Sequence, residues 1–382
     1  LLYSTFTKLN LIILKVVHVV EALEGGVYTY FRDLSHFFGN EGISKNIETS
    51  IVYSSNRKGI SSEKVNAEFS NGVNLIHLDM VREISPFQDL KSIFKLIKEL
   101  KEINPNVIHL HSSKAGVLGR FACFFLFKKK KVFYTPHGYA FLRTDISKSS
   151  RKLYSIIEKS FQRLFGGTIV ACGDTEFEIA KKIGPSKLVR NGVDIPHIRE
   201  HFLPHQNSKL TIGILGRITA ARNPKLFNDI ALKFPGFNFI WIGDGELSHL
   251  ITSENIKITG WIMDKNIVFE TLNSVDIYLQ TSLWEGLPIA LLEAMVLEKP
   301  IIATNIIGNK DIVLHNKTGF LFDDINELEN YFEILKENET RTDFGKKALK
   351  RCEDLFDTNQ NFKQLFALYQ ESLFAEANNL QK

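Results

Sequence analysis

Short apolar runs alternate with helical patterns along this chain, and the alternation runs twice with one interruption. Lys15-Val-Val-His-Val-Val20 is a short β-branched run, the mark of a strand buried in a parallel sheet. It leads to Glu24-Gly25-Gly26, after which Tyr30, Leu34, Phe37 and Phe38 fall at helical spacing. Further strands are expected at Ile51–Tyr53, Val73–His77, Val107–Leu110, Lys131–Tyr134 and Thr168–Ala171, with helices over Leu90–Leu100 and from about Lys114. A βα repeat of this kind is the signature of a doubly wound parallel sheet. Ile195–Lys209 breaks it with two prolines, three histidines and little periodicity. The alternation then restarts with strands at Leu210–Leu215, Phe237–Ile242, Ile256–Ile258, Asp276–Leu279, Pro300–Ala303 and Gly319–Phe322. Helices are expected between them at Leu226–Phe234 and Ile289–Leu297, and a last helical face runs over Phe362–Phe374.

The expected class is therefore α/β, with two Rossmann-like doubly wound domains facing across a cleft. The first domain takes residues 1–195, a linker 196–209, the second domain 210–360, and a closing helix 361–382. A length of 382 residues suits two domains rather than one. A hydrophobic share of 44% with 24% charged residues excludes a disordered chain. The longest apolar stretch, Leu9–Val20, is interrupted by Asn10, Lys15 and His18, so it is not expected to span a membrane. Leu1–Asn10 shows no cleavage-site pattern and is not read as a signal peptide. Cys123, Cys172 and Cys352 are too scattered for a disulfide framework or a zinc site, which fits the reducing cytosol.

Charge divides the chain near the same boundary. Residues 1–200 carry 29 Lys/Arg against 19 Asp/Glu, whereas residues 201–382 carry 18 against 24. A basic half can face nucleic acid, an anionic membrane or an anionic substrate, or be ordinary surface charge. No helix-turn-helix, zinc or RNA-platform motif accompanies it, so no nucleic-acid partner is expected. Phe121-Ala-Cys-Phe-Phe-Leu-Phe127, followed by Lys128–Lys131, has the composition of a peripheral membrane patch. The expected reading is nonetheless a helix packed on its sheet with a solvated basic end.

The densest chemical signal is Ser282-Leu-Trp-Glu-Gly-Leu-Pro-Ile-Ala-Leu-Leu-Glu-Ala-Met295. Glu285 precedes Gly286 and Pro288 in a loop, and Glu293 lies inside the following helix. Proline is tolerated at a helix start because its missing N–H would be unpaired there anyway. The helix entrance, with Gly286 and Leu287, turns free amides and a partial positive charge toward the crevice, which suits a phosphate. Two carboxylates beside it could accept hydrogen bonds from sugar hydroxyls. Spacing alone fits a surface glutamate and a buried one equally well.

Glu285-x7-Glu293, with Ser282 before it and Ala294-Met295 after it, resembles the E-x7-E motif of retaining family 4 glycosyltransferases, which have the GT-B fold. Other segments agree in the family's order. Gly25-Gly26-Val27 resembles its first glycine loop, His109–Arg120 its helix entry, Thr135-Pro-His-Gly138 its histidine loop, and Val189–Asp194 its strand before the linker. Leu215-Gly-Arg217, Gly243-Asp-Gly245 and Lys317-Thr-Gly319 fall in the second domain as that family requires.

The resemblance implies roles for particular residues. Glu285 would contact donor-sugar hydroxyls near the reacting carbon, with His137 also bonding the sugar. Glu293 would hold the ribose. Arg217 would bind the diphosphate, and Arg222 stands where the family usually has lysine, keeping the charge and adding a bidentate fork. Ile262 would place its backbone by the nucleobase, and Gly26 would bring its backbone close to a phosphate. Gly286 and Leu287 complete the substrate-binding set. The closing helix would cross back onto the first domain.

The implied activity is retaining transfer of a sugar from a UDP- or GDP-sugar to a glycan or lipid-linked acceptor. Its expected setting is surface polysaccharide assembly (capsule or lipopolysaccharide), with the protein cytoplasmic and peripheral at the inner membrane face. No cofactor or catalytic metal is expected, since the chain has no Asp-x-Asp. The alternatives are a sugar-nucleotide epimerase or phosphorylase of similar fold, and an inactive nucleotide-sugar-binding protein. Among weaker signals, His18, His109 and His111 read as core histidines, Gly243-Asp-Gly245 equally as a turn or a ligand contact, and Asp311 as a doubtful ligand.

Overall fold

The computed structural model describes residues 13–21, 23–55, 60–80, 85–126, 131–204 and 207–379. The leader question at Leu1–Asn10, Phe127 and lysines 128–130, and the side chain of Phe374 lie outside what it describes. The first half alternates β1 (Leu14–Val20), α1 (Gly25–Lys45), β2 (Ile47–Tyr53), α2 (Ser62–Glu68), β3 (Asn74–His77), α3 (Pro86–Ile103) and β4 (Val107–His111). It continues with α4 (Ser113–Leu126), β5 (Lys131–Thr135), α5 (Lys148–Phe165), β6 (Thr168–Ala171), α6 (Asp174–Lys181) and β7 (Ser186–Leu188). These strands form one parallel sheet in the order β3-β2-β1-β4-β5-β6-β7.

The second half begins with α7 (Ile195–Arg199), β8 (Thr211–Leu215), α8 (Pro224–Lys233), β9 (Asn238–Ile242), β10 (Ile256–Ile258), α9 (Lys265–Asn273) and β11 (Ile277–Gln280). Then come α10 (Ile289–Val296), β12 (Ile301–Thr304), α11 (Asn309–Ile312), β13 (Gly319–Phe322), α12 (Leu328–Lys336), α13 (Asn338–Leu355) and α14 (Thr358–Asn379). Its six strands are also parallel, in the order β10-β9-β8-β11-β12-β13. The expected pair of doubly wound α/β domains is thus present. In each sheet the strand order reverses once, between β1 and β4 and between β8 and β11. Ligands of open α/β sheets bind outside the carboxyl ends of the strands at such a switch point.

Local chemistry explains the element ends near these points. The Asn104 backbone at the end of α3 is left-handed, and its amide donates to the Leu100 carbonyl, closing the helix. Asn223 caps α8 by accepting from the Leu226 amide, and Pro224 takes the first turn, where it forfeits no bond. α10 is buried along its whole length, because it sits between the second sheet and its neighbours α7, α9 and α13.

α14 belongs to the first domain by packing although it follows the second in sequence. Phe362, Leu365, Phe366 and Tyr369 join the core formed by β1, β2 and α1. Each such buried side chain contributes about 2 kcal/mol of transfer free energy. The helix begins at Thr358, four residues before the first apolar position of the expected face.

Three expectations need correction. The strand expected at Val189–Asp194 is displaced upstream to β7, and Val193 makes only an isolated bridge to Asp357. A Cβ at Gly192 would stand 2.6 Å from the Phe356 carbonyl, so that segment is a close chain crossing. Part of the expected linker 196–209 is helical, since Asp194 accepts from the His197 amide and Ile195 and Ile198 are buried in the second domain's core. Phe121 and Phe124 are 38% and 40% exposed rather than packed on the sheet, and they stand edge-on to Phe165 at the surface.

Candidate active site

Both switch points open on the same cleft. On the second domain's side, β8 ends at Leu215 and leads through Gly216 to Arg217. Gly216 (φ +140°) holds a backbone conformation that side-chain-bearing residues rarely adopt, and a Cβ there would stand 3.1 Å from Arg222 Nε, so glycine lets that guanidinium lie close against the loop. The Trp241 indole N–H donates to the Gly216 carbonyl at 2.8 Å and fixes the loop from behind. Gly243 and Gly245 serve this packing, since added Cβ atoms would lie 2.4 Å from the Gly216 carbonyl and 2.3 Å from the Ile218 carbonyl. That is the turn reading of Gly243-Asp-Gly245.

β11 ends at Gln280 and delivers Glu285. Glu285 Oε1 accepts from Arg222 Nη1 at 2.7 Å, Ser282 Oγ at 2.8 Å and Gln280 Nε2 at 3.1 Å. One carboxylate oxygen is thereby held by three donors on two strand ends. Glu293, buried on α10, accepts from Lys265 Nζ at 2.7 Å. Arg217 donates across the cleft to Glu24 at 3.0 Å. Ile262 packs half-buried against the second domain's core.

The first domain answers with the His137 loop. His137 (φ 53°) and Gly138 (φ 94°) are successive positive-φ residues, a conformation uncommon outside glycine although histidine takes it more readily than most side chains. Glu176 imposes it in part, accepting from the Gly138 amide at 2.8 Å and the Cys172 amide at 2.7 Å. Burial raises the pKa of Glu176 against the bonds it receives from Cys172 and Gly138. The loop meets the Glu285 loop backbone to backbone, where a Cβ at Gly286 would stand 2.9 Å from the Gly138 nitrogen. Gly308 closes on the other side, its would-be Cβ 2.6 Å from the Gly286 carbonyl. Gly26 reaches the same seam, and a Cβ there would lie 3.2 Å from Ile289 on α10. Leu287 is buried beside Gly173. Asp311, from the second domain, accepts from the Thr175 amide at 3.0 Å at the start of α6, a bond between domains.

Behind His137 runs a chain of imidazoles. His18 Nδ1 lies 3.0 Å from His111 Nε2, and His111 Nδ1 lies 3.0 Å from His137 Nε2. His109 is separate, bonded to the Tyr369 hydroxyl and Thr135 Oγ1. Burial lowers the pKa of His18 and of His137 to about 3, and holds His109 and His111 well below the ordinary value. All four are therefore neutral at pH 7, so each ring carries one proton. Among the described residues, Nε2 of His18 is buried without a partner. A buried N–H without an acceptor is the rarer and costlier state, so the His18 proton sits on Nδ1. That bond makes His111 Nε2 an acceptor, puts the His111 proton on Nδ1, and makes His137 Nε2 an acceptor in turn. His137 is left with its proton on Nδ1, as a donor.

The structure thus gathers Gly26, His137, Arg217, Arg222, Glu285, Gly286, Leu287 and Glu293 around one seam. The sequence had not pointed to Glu176, Gln280, Lys265, Glu24 or the His18–His111 support, all of them partners made by tertiary contact. A separate cavity of about 460 Å³, lined in part by Arg32, Asp33, Asp194 and His197, takes none of the expected site residues.

Residues 24–196 match the model of Glycosyltransferase Family 4, and residues 200–351 that of Glycosyl transferases group 1. An Escherichia coli UDP-Gal:alpha-D-GlcNAc-diphosphoundecaprenol alpha-1,3-galactosyltransferase is 30% identical over 285 residues, covering 67% of this chain and 72% of that one. The chain belongs to the family 4 glycosyltransferases. A capsular polysaccharide biosynthesis glycosyltransferase of Staphylococcus aureus is 24% identical over 76% of this glycosyltransferase and 83% of its own length. Among solved structures, sucrose-phosphate synthase of Thermosynechococcus elongatus superposes with a TM-score of 0.77 at 16% identity, covering 95% of this chain and all of its own. The Anabaena protein HepE, solved with UDP and glucose, gives 0.72 at 15% identity over 94% of this chain and all of its own. These likenesses establish the GT-B fold of this glycosyltransferase.

Proposed function

We propose that this glycosyltransferase moves a hexose, with retention at the anomeric carbon, from a UDP- or GDP-sugar to a lipid-linked glycan during surface polysaccharide assembly. The observation that carries the reading is the meeting of the Arg222–Glu285 pair with the His137 loop at two facing switch points. The relatives' names support the acceptor class. One acts on a GlcNAc-diphosphoundecaprenol, and another serves capsule synthesis. The proposed setting is the cytoplasmic face of the inner membrane.

In this reaction the anomeric C–O bond of the donor breaks and its electron pair leaves with the nucleoside diphosphate. The acceptor oxygen bonds the same face of that carbon, and its proton passes to the leaving phosphate. Positive charge is needed beside the phosphate as the bond stretches. Arg222 has five N–H donors, so it can keep Glu285 in place and still reach the diphosphate. Arg217 is held by Glu24, so the diphosphate would take it over by replacing one anion with another. In this reading the two guanidiniums and the α10 entrance supply that charge without a metal. Glu285 and the His137 N–H would orient the sugar hydroxyls, while Glu293 would hold the ribose, with Gly26, Ile262, Gly286 and Leu287 offering backbone contacts.

The test is release of nucleoside diphosphate from a panel of UDP- and GDP-sugars, with the product's mass and anomeric configuration read alongside. Glu285→Ala should lower turnover by on the order of a thousandfold with an unchanged melting temperature. Near-normal turnover of that variant with the correct donor would overturn the assignment.

A further inference from the structure

The segment that breaks the strand–helix alternation, Ile195–Lys209, carries histidines that take no part in the proposed reaction. Two of them, His197 and His201, are four residues apart with Glu200 between them. α7 ends at Arg199, and the chain continues in tight turns. The His201 amide donates to the Ile198 carbonyl at 3.1 Å, and the Phe202 amide to the Arg199 carbonyl at 3.1 Å. Side chains three and four residues apart on such a path share one side of it. One nitrogen from each of the two rings and one Glu200 oxygen accordingly lie within 4.8 Å of one another.

The turn is held in place by its surroundings. Ile195 and Ile198 are buried in the second domain's core, and Arg199 is paired with Glu298 at 2.9 Å. Both rings pack on Phe269 of α9, His197 edge-on at 5.7 Å between centroids and His201 at 5.5 Å. His197 Nδ1 stands 3.7 Å from Glu200 Oε2, longer than a hydrogen bond. Among the described residues, Nε2 of His201 is buried without a partner. A buried N–H without an acceptor is the costlier state, so this nitrogen keeps its lone pair and Nδ1 carries the proton.

A free imidazole lone pair beside a second imidazole and a carboxylate is a donor set that zinc takes up. Zinc bonds of about 2.0–2.2 Å set tetrahedral ligands about 3.4 Å apart, so each side chain would close by about an ångström or less. The local charge suits a cation. Asp194, which accepts from the His197 amide at 3.3 Å, adds an acid beside Glu200. Lys265, over the Phe269 ring at 4.8 Å, is paired with Glu293, and Arg32, across the cavity that His197 lines, with Asp33. The buried trio His18, His109 and His111 also comes within metal distance, but five of its six ring nitrogens already have partners. An ion there would have to break the bonds it found.

We propose that His197, Glu200 and His201 form a site for a divalent transition-metal ion of the zinc class, with water completing its shell. The site is separate from the Arg222–Glu285 seam and independent of the transferase reading. An ion bound there fastens the turn by which the chain passes from the first domain into the second.

The experiment is titration of the full, metal-stripped chain with Zn²⁺ by calorimetry and with Co²⁺ by visible absorption. A single Zn²⁺ per chain should bind, and Co²⁺ should give the intense bands of a four- or five-coordinate site rather than the weak ones of the aqueous ion. His201→Gln and Glu200→Gln should each bind Zn²⁺ at least about tenfold more weakly. His197→Gln with His201→Gln should abolish the Co²⁺ bands. Glu200 is exposed, so its variant should melt like the native chain when no metal is present, which separates lost binding from lost folding. His249→Gln, an exposed histidine outside the cluster, should bind as the native chain does. Saturating Zn²⁺ should raise the native melting temperature by about 2 °C or more and leave the double variant unmoved. Absence of saturable binding would refute the proposal. So would undiminished binding by the double variant, which would place the ion elsewhere.

Discussion

The two sides of the cleft are built by opposite means. On the first domain, His18, His111 and His137 are neutral and linked by bonds whose direction one unpartnered nitrogen settles. On the second, Arg222–Glu285 and Lys265–Glu293 are ion pairs, and Arg217 extends the positive charge across the gap to Glu24. The contrast runs against the overall charge. The half with the basic excess backs its cleft wall with neutral imidazoles, and the half with the acidic excess brings its arginines there. A neutral network can orient a single donor without attracting anions indiscriminately. A charged one can answer a phosphate leaving with two negative charges.

The largest expected effect falls on the charged side. Arg222→Ala should lower kcat by on the order of a hundredfold or more, while Arg222→Lys should lose about tenfold, because an ammonium cannot bridge Glu285 and a diphosphate with a fixed fork. Steady-state kinetics with the preferred donor measures both. A near-normal kcat for Arg222→Lys would mean that Arg222 acts as a bare charge, and the contrast between the two walls would shrink.

A smaller loss is expected on the neutral side. His111→Phe keeps a ring in place but removes both nitrogens that pass direction from His18 to His137. kcat/KM should fall by about tenfold to a hundredfold, and stability by about 1–3 kcal/mol as His18 loses its acceptor. The readout specific to direction is the nitrogen NMR spectrum of His137, which should show the proton on Nδ1 in the native protein and a mixture in the variant. A proton on Nε2 in the native protein would reverse the chain and sink this account of it.

The smallest effect per step is on acid stability. His18 and His137 stay neutral in the fold down to about pH 3, whereas unfolded imidazoles protonate near 6.5. Below 6.5 the unfolded chain binds more protons, so stability falls as pH drops from 6.5 toward 3, by about 1.4 kcal/mol per unit for each such histidine. Denaturant melts at pH 7, 6 and 5 measure this slope, and His18→Phe should flatten it. A flat profile in the native protein would mean that the imidazoles take up protons in the fold as readily as in the unfolded chain.

Legibility in the sequence followed the same division. Where order is local, the residues announced it. β-branched runs marked β1, β4, β8 and β9, and the Ser282–Met295 segment marked its loop and helix. β7 escaped because it is a three-residue edge strand without an apolar run. α13 escaped because its buried face is only Phe344, Gly345, Ala348 and Cys352 in an otherwise charged stretch. Glu285, Arg222 and His137 stood out by motif. Gln280, Glu176 and Lys265 did not, because what recommends them is a bond formed only when distant strands are brought together. His18 and His111 read as ordinary core histidines, and their burial fits that reading. Only their register, β1 beside β4, turns two such residues into a directed support for a third.

α14 has a consequence for how the protein comes into being. The first domain leaves the ribosome before the second, yet its core lacks Phe362 and Tyr369, and His109 lacks its hydroxyl partner, until the second domain and α14 have been made. Synthesis from one end therefore cannot finish this molecule one domain at a time. The first domain must wait, with an open apolar groove, for α14 to arrive.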